Sequence, residues 1–400
     1  MRKILHSDAN AFYASVECAL DPSLKEKAMA VCGSTENRHG IVLAKSELAK
    51  RAGVKTGMAN WEAKLLCPNL VTVPPHHEIY AEYSRALHRL YERYTEYVEP
   101  FGLDECWLDV TDCRRPATEI AEKIRTAVKE ELGITVSVGV SFNKVFAKLG
   151  SDMKKPDAVT VITPENYREC VWKLPCSDLL YCGRATTEKL ARFGVKTIGE
   201  LAAFPQNLMQ KYFGKNGDTL WRFANGLDDA PVARYDDIEQ AKSLGRGITC
   251  VADLENGEEV NAVLVALAQD IGRRLRAAGL EARGVCVTVR DNALAFVSWQ
   301  QQLTEPTQSA ATLAKAGEKI FAERYKWSRK VRAVTLSAIN LEGADTPRQI
   351  SLFGGDTQEK YKKAEEALDK IKARFGDGAI KPAVLLCDNK MPEDLTDKEK

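Results

Sequence analysis

The stretch Tyr97-Val-Glu-Pro-Phe-Gly-Leu-Asp-Glu-Cys-Trp-Leu-Asp-Val110 holds two apolar runs, Tyr97 to Leu103 and Cys106 to Val110, parted only by Asp104-Glu105. Short runs separated by two polar residues predict neighbouring strands. A helical pattern follows from about Thr118 to Leu132, and Ile134-Thr-Val-Ser-Val-Gly-Val140 alternates as a strand does. Upstream, Tyr80, Tyr83, Leu87, Leu90, Tyr91 and Tyr94 recur at helical spacing within Tyr80 to Tyr97. Nearer the start, Lys3 to Ser7 predicts a strand and Ala11 to Leu20 a helix, with Asn10 as its N-cap. With the polar, Gly-containing stretch 21–77 set aside as an insertion, the order is β-α-β-β-α-β. The first strand of that fold lies beside its neighbours, so Asp8, Asp104 and Glu105 are brought together.

Past Pro156, short helices with Gly and aromatic punctuation continue to about Tyr235, and the polar run Asp236 to Lys242 predicts a linker. From Ser243 a second β-α-β-β-α-β order emerges: Ile248 to Val251, a helix over 257–278, Gly284 to Arg290, Leu294 to Gln301, a helix over 308–325, and Val331 to Leu341. The two halves are expected to repeat a topology without repeating a sequence. After Pro347 comes an amphipathic helix with Tyr361, Ala364, Leu368, Ile371 and Phe375 on one stripe, and the last dozen residues predict a solvated tail.

Four hundred residues, 44% hydrophobic and 28% charged, suit a globular chain of two to four domains and exclude disordered or collagen-like classes. A net charge of +1 neither requires nor excludes a nucleic-acid partner, because a basic face can be balanced elsewhere. The start, Met1-Arg2-Lys3-Ile4-Leu5-His6-Ser7-Asp8, lacks the apolar stretch of about 7 to 15 residues of a secretory signal. No run of about 18 apolar residues follows, so no membrane association is expected. Eleven dispersed cysteines without a C-x-x-C pair suit neither a disulfide framework nor a zinc site, and a cytoplasmic protein is expected. The five histidines show no metal spacing.

Two or three carboxylates with open positions suit Mg²⁺, which takes oxygen ligands in octahedral geometry and keeps waters or substrate phosphates. Adjacent residues face opposite sides of a regular strand, so Asp104 and Glu105 can both serve only at a turn or strand end, and Gly102 makes an irregular backbone available. The competing account of an Asp-Glu pair is a solvated hairpin turn.

The sequence around these acids decides between the two. Ser7-Asp-Ala-Asn-Ala-Phe-Tyr-Ala-Ser-Val-Glu17, Leu103-Asp-Glu-Cys-Trp-Leu-Asp-Val110, Gly139-Val-Ser-Phe-Asn-Lys-Val-Phe-Ala-Lys-Leu149 and Ser151-Asp-Met-Lys-Lys-Pro156 resemble, in order and spacing, the signature segments of the Y-family, or translesion, DNA polymerases, nearest their DNA polymerase IV branch. The resemblance spans about residues 1 to 355. It implies an α+β right-hand polymerase: a ferredoxin-like βαββαβ palm (first strand 1–10, remainder 78–165), small fingers (11–77), a helical thumb with a helix-hairpin-helix (166–235), a linker (236–242), a βαββαβ little finger (243–345) and a C-terminal tail (346–400). It further implies Mg²⁺-dependent, template-directed addition of dNMP to a primer 3′-hydroxyl, at low fidelity and past damaged template, with two Mg²⁺ in the active site. Asp8 and Asp104 would bridge both ions, Glu105 would bind the one at the primer hydroxyl, and the Ala9 carbonyl would complete the other shell. Lys155 matches the lysine on the triphosphate. Tyr13 falls on the steric gate that excludes a 2′-hydroxyl, and Phe12 beside it is a nucleotide contact.

Some positions depart from the family pattern. Tyr and Arg three residues apart usually meet the triphosphate, whereas Ala44-Lys-Ser-Glu-Leu-Ala-Lys50 places Glu47 and Lys50 there. A carboxylate only accepts hydrogen bonds, so Lys50 alone is expected to bind, as a point charge. In the thumb, the Gly183-Arg184 turn is expected to cradle a DNA phosphate, with Tyr181 in place of a hairpin glycine. Gln349-Ile-Ser-Leu-Phe353 resembles the box that docks bacterial polymerases on a sliding clamp, through Gln349, Leu352 and Phe353. The implied partners are primer–template DNA, dNTP and the clamp, and the implied state is a monomer. A catalytically inactive DNA- and clamp-binding accessory is the alternative that Glu47 favours. A nucleotide cyclase would share the palm and metal pair but have no use for a thumb hairpin or clamp box.

Overall fold

The computed structural model describes residues 1–36, 38, 40–237, 241–346, 357–386 and 390–392. The chain divides into two compact units, 1–33 with 41–238 and 34–40 with 239–400.

The first unit begins with β1 (Ile4–Ala9), buried along its whole length, and α1 (Phe12–Leu20). There follow β2 (Met29–Cys32), β3 (Val42–Lys45), α2 (Glu47–Arg51), α3 (Asn60–Leu66) and β4 (Val71–Val73), whose strands form a small sheet ordered β3-β2-β4. Next come α4 (His77–Tyr91), β5 (Val98–Pro100), β6 (Glu105–Asp109), α5 (Ala117–Leu132), β7 (Val136–Ser141), α6 (Lys144–Met153) and β8 (Val159–Val161). The principal sheet runs β5-β6-β1-β7-β8, with β1 antiparallel to both its neighbours. This is the expected ferredoxin-like sheet, enlarged by β8, which pairs parallel with β7.

α4 stops at Tyr91 rather than reaching Tyr97. The chain beyond it is drawn into the sheet edge, where Thr95 Oγ1 donates to the Asp109 carbonyl at 2.6 Å. Leu5, Phe12, Tyr80, Leu87, Ile124 and Val138 share one core on the α1/α4/α5 side. On the other side α6 lies so close to β7 that a Cβ on Gly139 would stand 1.9 Å from the Ala147 carbonyl oxygen, so only glycine allows this approach. The unit closes with α7 (Tyr167–Cys170), α8 (Arg184–Ala191), α9 (Ile198–Ala203) and α10 (Gln206–Ala224, bent at Gly214), packed around Val171, Leu190, Ile198 and Leu220.

The second unit contains β9 (Ser243–Leu254), α11 (Gly257–Ala277), β10 (Leu280–Asp291), β11 (Phe296–Thr307), α12 (Ala310–Arg324), β12 (Val331–Gly343) and α13 (Thr357–Phe375). The element order repeats that of the first unit, but the sheet does not: it runs β11-β10-β12-β9, so the third strand lies at an edge. The expectation of a repeated topology is corrected on this point. The cause is composition. β11 is exposed along most of its length, as an edge permits, whereas the corresponding β6 buries Cys106, Trp107 and Leu108 and takes a central place.

Beyond β12 the chain returns to pack on this unit. α13 docks through its acidic side, leaving Tyr361 and Phe375 of the apolar stripe exposed. Buried Glu365 accepts from Ser309 Oγ at 2.9 Å and from the Ala310 and Ala311 amides at 3.0 and 3.2 Å, closing the N-terminus of α12. Arg276 bonds both Glu365 and Asp369, each at 2.6 Å. Within the last dozen residues, expected to be solvated, Met391 joins the core of this unit and Lys390 pairs with Glu259 at 2.9 Å. Glu365→Ala leaves a buried guanidinium short of one partner and the α12 amides without theirs. The expected cost is about 3 kcal/mol, read as a lower urea midpoint for this unit.

Candidate active site

Antiparallel pairing sets Asp8 opposite Glu105, and the Ala9 amide donates to the Asp104 carbonyl at 3.0 Å, so all three acids lie at one end of the β1/β6 pair. Asp104 precedes β6 in an irregular turn where Gly102 adopts φ +92°, a conformation suited to glycine. This turn brings both adjacent acids to the site. Ala11, between β1 and α1, is held in the left-handed region at φ 48°, a strain of the kind found where backbone is fixed for function.

A cleft of about 360 Å³ is lined by Asp8, Ala9, Phe12, Tyr13, Asp104, Glu105 and Lys155, and across from them by Leu43, Ala44, Lys45 and Thr56. Of the sequence-predicted nucleotide contacts, only Lys50 does not line it. Lys50 pairs with Glu47 at 3.1 Å on the exposed side of α2 and neither lines the cleft, so the position of Glu47 does not support an inactive accessory. Lys45, at the end of β3, lines the cleft instead and donates to Thr56 Oγ1 at 3.1 Å. Lys148 and Asp152 of α6 line it too. They lie within motifs singled out in the sequence, but only their place on the helix face packed toward β1 and β6 reveals them.

Burial raises Asp8 to about 6 even though Lys155 Nζ stands 2.7 Å from its Oδ2. Asp104 is raised by burial and by the charge of Glu105. Burial works the same way on Glu105, but contacts with His6 and Lys148 outweigh it and bring Glu105 down to about 2. Lys155 also meets Asp152 at 2.9 Å. Among the described residues no three acidic, His or Cys side chains are grouped closely enough to form a cation site, and Lys155 stands on Asp8 at 2.7 Å. The donor set still fits a hard divalent cation: carboxylate oxygens whose negative charge burial disfavours, beside a Lys155 ammonium that a phosphate can draw away.

The Tyr13 ring stacks on Tyr80, with centroids 4.2 Å and planes 13° apart. Tyr80 is fixed in turn by its hydroxyl bond to Glu17, which His76 meets at 2.8 Å. In the α7–α10 region, Gly183 caps α8 and Arg184 opens it, both exposed, with Arg184 paired to Glu188 at 2.7 Å. Tyr181 adopts φ +67°, the conformation for which glycine is the ordinary choice. Residues 349, 352 and 353 lie outside the described residues.

The model of the impB/mucB/samB family matches residues 7–152, that of its C-terminal domain 241–352, and a model described as the DNA polymerase-iota thumb domain 178–228. The chain is 46% identical to DNA polymerase IV of Acetivibrio thermocellus, over 97% of this chain and 98% of the relative. It is 38% identical to that of Moorella thermoacetica, over 96% of each. DNA polymerase IV 1 of Bacillus subtilis is 33% identical, over 96% of this chain and 93% of the relative. Among solved structures, a Y-family DNA polymerase chimera shares the fold with a TM-score of 0.77 at 24% identity, covering 84% of this chain and 98% of the chimera.

Proposed function

The chain belongs to the Y-family DNA polymerases, with relatives of the DNA polymerase IV type over nearly its whole length, and from that premise we propose that this DNA-directed DNA polymerase works through two Mg²⁺ ions held by Asp8, Asp104, Glu105 and the Ala9 carbonyl, extending primers past damaged template at low fidelity. The observation that carries this reading is the convergence of three acids, Lys155 and Tyr13 on one cleft. Such ions would lower the pKa of the primer 3′-hydroxyl and neutralise the triphosphate. Asp8, Asp104 and Glu105 would hold these ions. Lys155, released from Asp8, stabilises the negative charge on the triphosphate. Tyr13 lies beneath the sugar and Phe12 supports it. Ala9, Ala11 and Ala44 are the small residues of the lining, leaving volume for a misshapen base pair.

The α7–α10 region is the thumb and tracks the DNA backbone through the Gly183-Arg184 turn. The second unit is the little finger, from which Gln349, Leu352 and Phe353 engage the sliding clamp. No described helix is long and apolar enough to cross a membrane, and the enzyme acts as a monomer in the cytoplasm.

Primer extension opposite an abasic site and opposite a bulky base adduct tests the translesion reading. Insertion and continued synthesis at both lesions are expected; synthesis that stops at both while copying intact template would overturn it. Lys155→Ala removes one charge-assisted contact to phosphate and is expected to lower kcat/KM for dNTP roughly 10- to 100-fold. Single-turnover extension over a dNTP series checks this.

A further inference from the structure

Lys148 is assigned no part in the preceding scheme, yet it lines the cleft and is mostly buried. Its Nζ donates to Glu105 Oε2, and the Phe101 ring, 5.2 Å away, flanks the ammonium. The same oxygen faces a second group, His6 Nε2, at 3.4 Å. His6 is fully buried, its Nδ1 bonded to Ser151 Oγ at 2.9 Å, and its Nε2 makes no hydrogen bond. Oε2 of Glu105 is thus confined between an ammonium and an imidazole, while Oε1 makes no hydrogen bond among the described residues. One oxygen is anchored, and the other is left for a ligand.

We propose that Lys148 is a positioning residue for the divalent-cation site, fixing Glu105 through Oε2 so that Oε1 is presented ready-oriented. The proposal rests on the reading of Glu105 as a metal ligand. Partners of this kind orient first ligands, and their loss typically costs about 10- to 100-fold in metal affinity. An ion pair that merely stiffened the fold would change the melting temperature and leave cation affinity alone. A lysine that merely competed with the cation for Glu105 would, on removal, tighten cation binding. The three roles therefore differ in sign.

The test is Mn²⁺ binding, followed by electron paramagnetic resonance, to the full chain with a dideoxy-terminated primer–template and matched dNTP, so that no turnover occurs. Lys148→Met keeps the length of the stem and Lys148→Gln keeps a donor; both remove the charge, so a folding failure in one leaves the other informative. At least about tenfold weaker Mn²⁺ binding is expected in both, with most of the affinity restored in Lys148→Arg. Unchanged or tighter binding in the uncharged variants would overturn the proposal. Glu105→Gln separates the premise from the inference: unchanged Mn²⁺ affinity in that variant refutes Glu105 as a ligand, whatever Lys148 does.

Discussion

Asp8→Asn is expected to abolish nucleotide addition and, at the same time, to make the metal-free protein harder to unfold. Asp8 is only 4% exposed, inside a strand paired on both sides, and burial raises it from 3.8 to about 6 despite Lys155. The fold therefore binds a proton at Asp8 more readily than the unfolded chain does. The stability contributed by the protonated carboxyl is fully present below the unfolded value near 3.8 and is lost as pH rises through about 6. Above that, the ionised side chain is a net cost of about 3 kcal/mol. Asparagine keeps the shape without the charge. Urea unfolding in EDTA should show a gain at pH 7.5 that shrinks toward pH 4, while single-nucleotide extension with Mg²⁺ falls by roughly 10³-fold or more. A variant both inactive and less stable would mean that Asp8 holds the fold together and is not a functional charge tolerated by it.

Tyr13→Ala is expected to open the enzyme to ribonucleotides, lowering its preference for dNTP over rNTP about 100-fold. The proposed exclusion is steric, so its strength would depend on how firmly the ring is held. Tyr13 is stacked on Tyr80, edged by His77 at 5.9 Å and flanked by Phe12 at 5.7 Å, and Tyr80 is tied to buried Glu17. A ring braced on these sides is held against swinging aside, as the proposed gate requires. The Tyr13 hydroxyl makes no hydrogen bond among the described residues, so Tyr13→Phe should discriminate nearly as the wild type does. Competition between matched dCTP and CTP opposite a template G measures both variants. Retained discrimination in Tyr13→Ala would move the gate to another residue.

The palm was legible because its signals are local. Alternating apolar runs placed β1, β6 and β7, and the Asp104-Glu105 pair fell at a strand start that a glycine turn made accessible to both side chains. The order of the second sheet was not legible: six elements in the same succession can pair in more than one way, and the preference of polar β11 for an edge emerges only when its neighbours are known. The docking face of α13 was not legible for a related reason. Its apolar stripe did not reveal which face docks: two ion pairs from Arg276 and the open N-terminus of α12 draw the acidic face inward. In the cleft, Lys50 was chosen by its place in a motif, whereas Lys45 lines it because it ends β3, just before the Ser46 cap turns the chain into α2. Lys148 depends on the close α6–β7 contact that Gly139 permits, a long-range fact without a short-range signature.

The most direct measurement is single-nucleotide extension of a recessed primer–template with Mg²⁺ and each dNTP in turn, comparing the wild type with Asp104→Ala. Template-matched addition by the wild type that disappears in the folded variant is the expected result. Addition that persists in Asp104→Ala, or a wild type that binds the duplex but extends nothing, would contradict the assignment of polymerase chemistry to this cleft.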